Sequence, residues 1–123
     1  MSGNSFLLDS NIVLYLLSGD KTLANLLRFS KLYVSFITQL ELLSFHAIDE
    51  TQKEEIKKFL KQCVIIDINE SIKENVIKLR KTYKMKLPDS IVVATSLYIG
   101  TPLITSDKGL FKIKEANIIQ YHL

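Results

Sequence analysis

The chain has 123 residues, 47% apolar and 24% charged, a length that suits one domain and a composition ordinary for a globular protein. Its single cysteine, Cys63, excludes an internal disulfide and any multi-cysteine metal site; beside Val64-Ile65-Ile66 it reads as a small packed thiol. The net charge of +3 permits a polyanionic partner without requiring one, so a functional case must come from where the charges sit.

In chain order, Ser5-Phe6-Leu7-Leu8 is a short apolar strand that ends in Asp9. Ile12, Val13, Leu16 and Leu17 recur at helical spacing behind a cap at Ser10 or Asn11. The apolar run from Phe6 to Leu17 is broken by Asp9 and Asn11 and is too short to span a membrane. Nothing at the N-terminus resembles a signal peptide, so a cytoplasmic, thiol-reducing location is expected. Gly19-Asp20 breaks the pattern, and Leu23, Leu26, Leu27 and Phe29 mark a second helix. Leu14, Tyr15, Leu26 and Phe29 serve either core packing or a dimer face.

Leu32 to Ile37 is the second strand. Thr38 suits the following helix N-cap, with Glu41 three residues on, at capping-box spacing. Glu41 therefore has two readings, as a local cap or as an acid pointing off the strand end. Asp49–Lys61 is an exposed amphipathic helix, Val64–Ile66 a third strand, and Asn69 the cap of a long helix with Ile72, Val76, Leu79 and Tyr83 on one face. Lys78, Arg80, Lys81, Lys84 and Lys86 gather towards and beyond its end. They are either solvated cations favoured at a helix C-terminus or an anion-binding surface.

The stretch from Leu87 to Asp107 organises the rest. Pro88 suits a first helical turn, Ile91 to Ile99 is apolar on most sides, Gly100 closes the helix and Pro102 forbids its continuation. Leu103-Ile104-Thr105 is then a strand that returns over roughly 16 Å and brings Asp107 back beside Asp89. Lys108–Phe111 is a turn and Asn117–Tyr121 the last strand.

Apolar strands separated by helices imply a parallel sheet covered on both faces, an α/β/α sandwich formed by residues 1–123 as a single domain. Ligands of such folds gather outside the carboxyl ends of the strands. Asp9, Glu41, Asp67 and Asp107 follow successive strands, and Asp89 can face the same edge. Carboxylates gathered in one cleft repel unless something positive lies among them. A hard divalent cation is the simplest remedy, and Mg²⁺ or Mn²⁺ suits an all-oxygen set better than Zn²⁺. The two histidines, His46 and His122, have no zinc spacing. Phosphodiester hydrolysis is the chemistry such a centre performs most naturally.

Four blocks also carry a family resemblance: Phe6-Leu7-Leu8-Asp9-Ser10-Asn11, Thr38-Gln39-Leu40-Glu41-Leu42-Leu43, Leu87-Pro88-Asp89-Ser90-Ile91-Val92-Val93-Ala94-Thr95 and Leu103-Ile104-Thr105-Ser106-Asp107-Lys108. In order and spacing they resemble the signature blocks of PIN-domain ribonucleases, and most closely the VapC-type toxins of bacterial type II toxin–antitoxin pairs. The resemblance implies a Mg²⁺- or Mn²⁺-dependent endoribonuclease, usually a homodimer and usually silenced by a small antitoxin. It makes Asp9, Glu41, Asp89 and Asp107 the metal-binding catalytic acids, with Asn11 and Thr105 as polar supports, and it moves Glu41 from cap to ligand. Asp67 has no counterpart among the family's ligands. Some relatives carry a further acid where this chain has Leu110 and Phe111, so the resemblance leaves one metal or two open. Arg80 and Lys84 are the candidates for contact with the RNA backbone. The competing reading is a non-catalytic relative that binds RNA or protein through the same groove, although a groove built only for a polyanion would gain by losing its acids. A phosphoacceptor receiver domain, with Asp67 as acceptor and Lys108 as partner, wants paired acids after the first strand, where only Asp9 stands.

Overall fold

The computed structural model describes residues 4–122. Its elements are β1 (Ser5–Leu8), α1 (Ser10–Leu17), α2 (Lys21–Leu27), β2 (Lys31–Ser35), α3 (Phe36–Leu43), α4 (Glu50–Lys61), β3 (Val64–Ile66), α5 (Glu70–Thr82), α6 (Leu87–Ile99), β4 (Leu103–Thr105), a 3-10 turn (Lys108–Lys112) and β5 (Ile118–Gln120). The sheet is parallel throughout, in the order β3-β2-β1-β4-β5. Alternation along the strands divides the core. Leu8, Val34 and Ile104 pack with Ile12, Leu23, Leu42 and Ile56 on one face, whereas Leu7 and Leu103 pack with Ile72, Leu79, Val92 and Val93 on the other. The result is a three-layer α/β/α sandwich. No helix among the described residues is long and apolar enough to cross a membrane.

The helix signals act as expected at most ends. Asp49 and Gln52 form a reciprocal capping box on α4, and Asn69 caps α5. Pro88 lies in the first turn of α6, and Gly100 ends that helix with a left-handed φ of 62°, a conformation that costs glycine nothing. Ser90 through Ser96 are all buried, so α6 is the most enclosed helix segment of the fold.

Three expectations are corrected. The cap of α1 is Asp9, which accepts the Ser10 N–H, rather than Ser10 or Asn11. Strand β2 stops at Ser35, which caps α3 itself, so Thr38 lies inside the helix and forms no capping box with Glu41. The apolar run from Leu32 to Ile37 continues through that boundary and disguises it; Ile37 packs against the core from inside the helix. Phe29 falls outside α2, with a φ of 67° and 79% of its surface exposed. Leu26 is likewise exposed, so neither belongs to the core.

The order β3-β2-β1-β4-β5 means that the chain winds outward from β1 in one direction and then returns to add β4 and β5 on its other side. The reversal falls between β1 and β4. That is where an open α/β sheet leaves a crevice at its carboxyl edge, and Asp9 and Asp107 follow those two strands.

Candidate active site

Asp9 sits at the floor of the crevice, 7% exposed. Its Oδ1 accepts the Ser10 N–H at 2.9 Å and its Oδ2 accepts the Thr105 hydroxyl at 2.7 Å. Thr105 Oγ1 in turn accepts the Asp107 N–H at 3.0 Å. Asp107 Oδ1 caps the 3-10 turn by accepting the Gly109 N–H at 2.8 Å. One hydroxyl therefore joins the strand-end acids of β1 and β4. Asn11 holds the same turn from the other side, its Oδ1 accepting the Ser106 N–H at 3.1 Å, and the Tyr15 hydroxyl reaches Ser106 Oγ at 3.3 Å.

Glu41 reaches the crevice from the second turn of α3 and Asp89 from the first turn of α6. Burial raises the pKa of Asp9 above the ordinary carboxyl value, against the lowering hydrogen bonds from Thr105 and Ser10; the Asp107 charge adds to the rise. Burial also raises Glu41, and the charges of Asp9 and Asp89 raise it further. Asp89 is raised by burial and then by Asp9 and Asp107, with Lys86 pulling the other way. The structure thus brings together acids from four separate segments, close enough to act on one another. Asp67 is not among them; it is exposed and caps its own loop through the Ile68 N–H. Arg80 and Lys84 lie outside the crevice, in a groove on the α5 side.

Among the described residues, no three His, Cys, Asp or Glu side chains stand close enough to form a ready-made metal cage. The donor set nevertheless fits a hard cation. It is all carboxylate, and three of its members hold their protons more tightly than free acids do, through burial and mutual repulsion. A divalent ion is what relieves both.

Sequence reasoning missed the Asn11–Ser106–Tyr15 contacts and the role of Gly109. A Cβ at position 109 would come within 3.1 Å of Asp107 Oδ1. Ser106 and Gly109 flank Asp107 in the sequence and could have been noticed. Tyr15 lies 91 positions from Ser106, and no local pattern marks it.

The sequence profile of the PIN domain matches residues 6–116. No curated protein matches the chain. Among solved structures, a toxin–antitoxin complex from Klebsiella pneumoniae contains a chain that is 30% identical, with a TM-score of 0.81 over 95% of this chain and 98% of that one. VapBC-1 from nontypeable Haemophilus influenzae matches at 24% identity and TM-score 0.78, covering 94% and 97% of the two chains. VapBC2 from Rickettsia felis, bound to a promoter DNA fragment, matches at 19% and 0.81 over 96% and 99%. With the profile spanning most of its length and four acids meeting at the sheet's reversal point, this chain belongs to the PIN-domain family.

Proposed function

We propose that this chain is a Mg²⁺- or Mn²⁺-dependent endoribonuclease and the toxin of a toxin–antitoxin pair. The observation that carries the reading is the convergence of four carboxylates from separate segments. Asp9 is buried at the base, with Thr105 tying it to Asp107. The charges of Asp9 and Asp107 act on Asp89 and that of Asp9 on Glu41, with Lys86 the cation acting on Asp89. An acidic hollow of this kind is a poor site for RNA until a metal neutralises it. Asp9, Glu41, Asp89 and Asp107 would hold the ion. When bound, it supplies an activated water and neutralises charge that builds on the phosphate. Thr105 and the Ser10 N–H fix both oxygens of Asp9, and the Gly109 N–H fixes one oxygen of Asp107. These acids therefore need little reorganisation when the ion and substrate arrive. Arg80 and Lys84 would contact the RNA backbone.

The antitoxin partner is supported by the Klebsiella pneumoniae relative, whose structure is a toxin–antitoxin complex. A homodimer is the assembly this reading expects, and RNA as substrate puts its work in the cytoplasm. The test is cleavage of single-stranded RNA by purified protein in Mn²⁺. Asp9→Asn and Asp89→Asn should each abolish cleavage while the circular-dichroism spectrum stays native. Cleavage that survives both changes would remove these acids as the catalytic centre, whereas a wild-type protein that binds RNA but never cuts it would favour the non-catalytic reading.

A further inference from the structure

A groove of about 620 Å³ opens between the end of α5 and the start of α6, within the range of small-molecule sites. Ile77 and Leu87 line it and are 57% and 49% exposed, so it has an apolar floor open to solvent. Arg80, Lys81 and Lys84 also line it. Among the described residues the ion pairs are Lys57–Glu54 and Lys73–Glu70, and none of the three groove cations is paired with a carboxylate. Tyr83, half-buried against the core, also lines it beside Val76 and Met85; its hydroxyl donates to Glu115 and accepts the Lys114 N–H, which holds the ring before a ligand arrives. The groove and the acidic site share the start of α6: Leu87 lines the groove and Asp89 stands two residues on in the same first turn.

We infer that this groove is a subsite for one unpaired nucleotide of the RNA strand running out of the acidic crevice. The base would rest against Tyr83, Ile77 and Leu87, and the flanking phosphates would meet Arg80 and Lys84. The inference rests on the nuclease reading above. Its argument is the combination of surfaces. Solvated helix-end cations need no apolar floor, and a purely apolar docking face gains nothing from three unpaired cations. A nucleotide presents both chemistries at once, a π-face and an anion. A paired base would present its ring only to its neighbours in the stack, so the subsite selects single strands.

The test measures binding of short single-stranded RNA to the full chain, with Ca²⁺ replacing Mg²⁺ so that substrate stays uncut, over a range of salt. Each single-strand phosphate contact contributes about 0.7 to the slope of log affinity against log salt. Arg80→Gln with Lys84→Gln should therefore flatten the slope by about 1.4 and weaken binding roughly 25-fold at about 0.1 M salt. Tyr83→Leu should weaken it roughly fivefold or more with the slope unchanged, and should leave binding of the matching duplex unaffected. Unchanged affinity and slope in all these variants, with Asp89→Asn still abolishing cleavage, would overturn the subsite and leave the nuclease reading standing. Failure of the wild-type chain to bind or cut RNA would overturn both. If instead the substitutions turn a dimer into a monomer with RNA affinity intact, the groove is an interface between copies and the subsite is wrong.

Discussion

Thr105 donates its hydroxyl proton to Asp9 Oδ2 at 2.7 Å and accepts the Asp107 N–H at 3.0 Å through the same oxygen. Thr105 is fully buried and Asp9 nearly so, so water does not readily take the place of this hydroxyl on Asp9. Thr105→Val keeps the shape and removes both bonds. A hydrogen bond to a charged group contributes about 1.5–3 kcal/mol, so a stability loss of about 2 kcal/mol is expected. Cleavage should fall by at least about tenfold, because both acids lose their fixed positions. Thr105→Ser restores the hydroxyl and should recover most of the rate. Equal activity in the Val and Ser variants would show that the bridge does not position the acids.

Asp9 exerts a pH effect of defined sign. Its pKa is raised in the fold above the ordinary 3.8. The stability tied to this proton is fully present below about pH 3.8 and is lost as pH rises through the raised value. Asn at this position carries no charge to desolvate. In chelator, Asp9→Asn should therefore melt above wild type at neutral pH, and the difference should shrink towards pH 4. A variant that melts lower than wild type at neutral pH would show that the lost charge-assisted hydrogen bonds outweigh the desolvation relieved.

Mg²⁺ or Mn²⁺ should reverse that penalty. Stabilisation by about 2.7 kcal/mol is expected at a hundred times the dissociation constant, read as a rise in melting temperature that excess chelator removes. Because Asp9, Glu41 and Asp89 all hold their protons more tightly than free acids, binding should release protons, increasingly so as pH is lowered towards their raised values. Calorimetry in two buffers of different ionisation heat measures the release. A titration with neither heat nor a thermal shift would remove the metal from the proposal.

Gly109 keeps Asp107 in place by leaving room. An Ala side chain there would meet Asp107 Oδ1 at 3.1 Å, so the carboxylate must give way while its bond to the residue 109 N–H is strained. The cap itself is worth about 1 kcal/mol, which limits the stability cost of Gly109→Ala. The expected signature is a cleavage rate reduced severalfold with a melting temperature lowered only slightly. A rate at wild-type level would mean that Asp107 needs no fixed position.

The central stretch shows how much of this chain is written locally. Pro88, the apolar run from Ile91, Gly100 and Pro102 fix α6 and its end with no help from elsewhere, since φ restriction and left-handed backbone act within one turn. The strands were legible for a similar reason: a parallel sheet buried on both faces needs continuous apolar runs. The start of α3 was not legible. Ser35 and Thr38 both carry capping side chains; Ser35 takes the cap by accepting the Ile37 N–H, while Thr38 is fully buried inside the helix, and neither residue type reports that difference.

The sequence by itself determined the element order and the parallel sheet, because these depend on residue type and short-range spacing, and it offered Asp9, Glu41, Asp89 and Asp107 as candidates. The tertiary structure decided that Asp9, Glu41, Asp89 and Asp107 share one crevice while Asp67 stays outside, and that Thr105 bridges Asp9 and Asp107. Those facts follow from the strand order, which reverses between β1 and β4. Strand order is settled by packing among residues up to a hundred positions apart, and no local run of side chains encodes it.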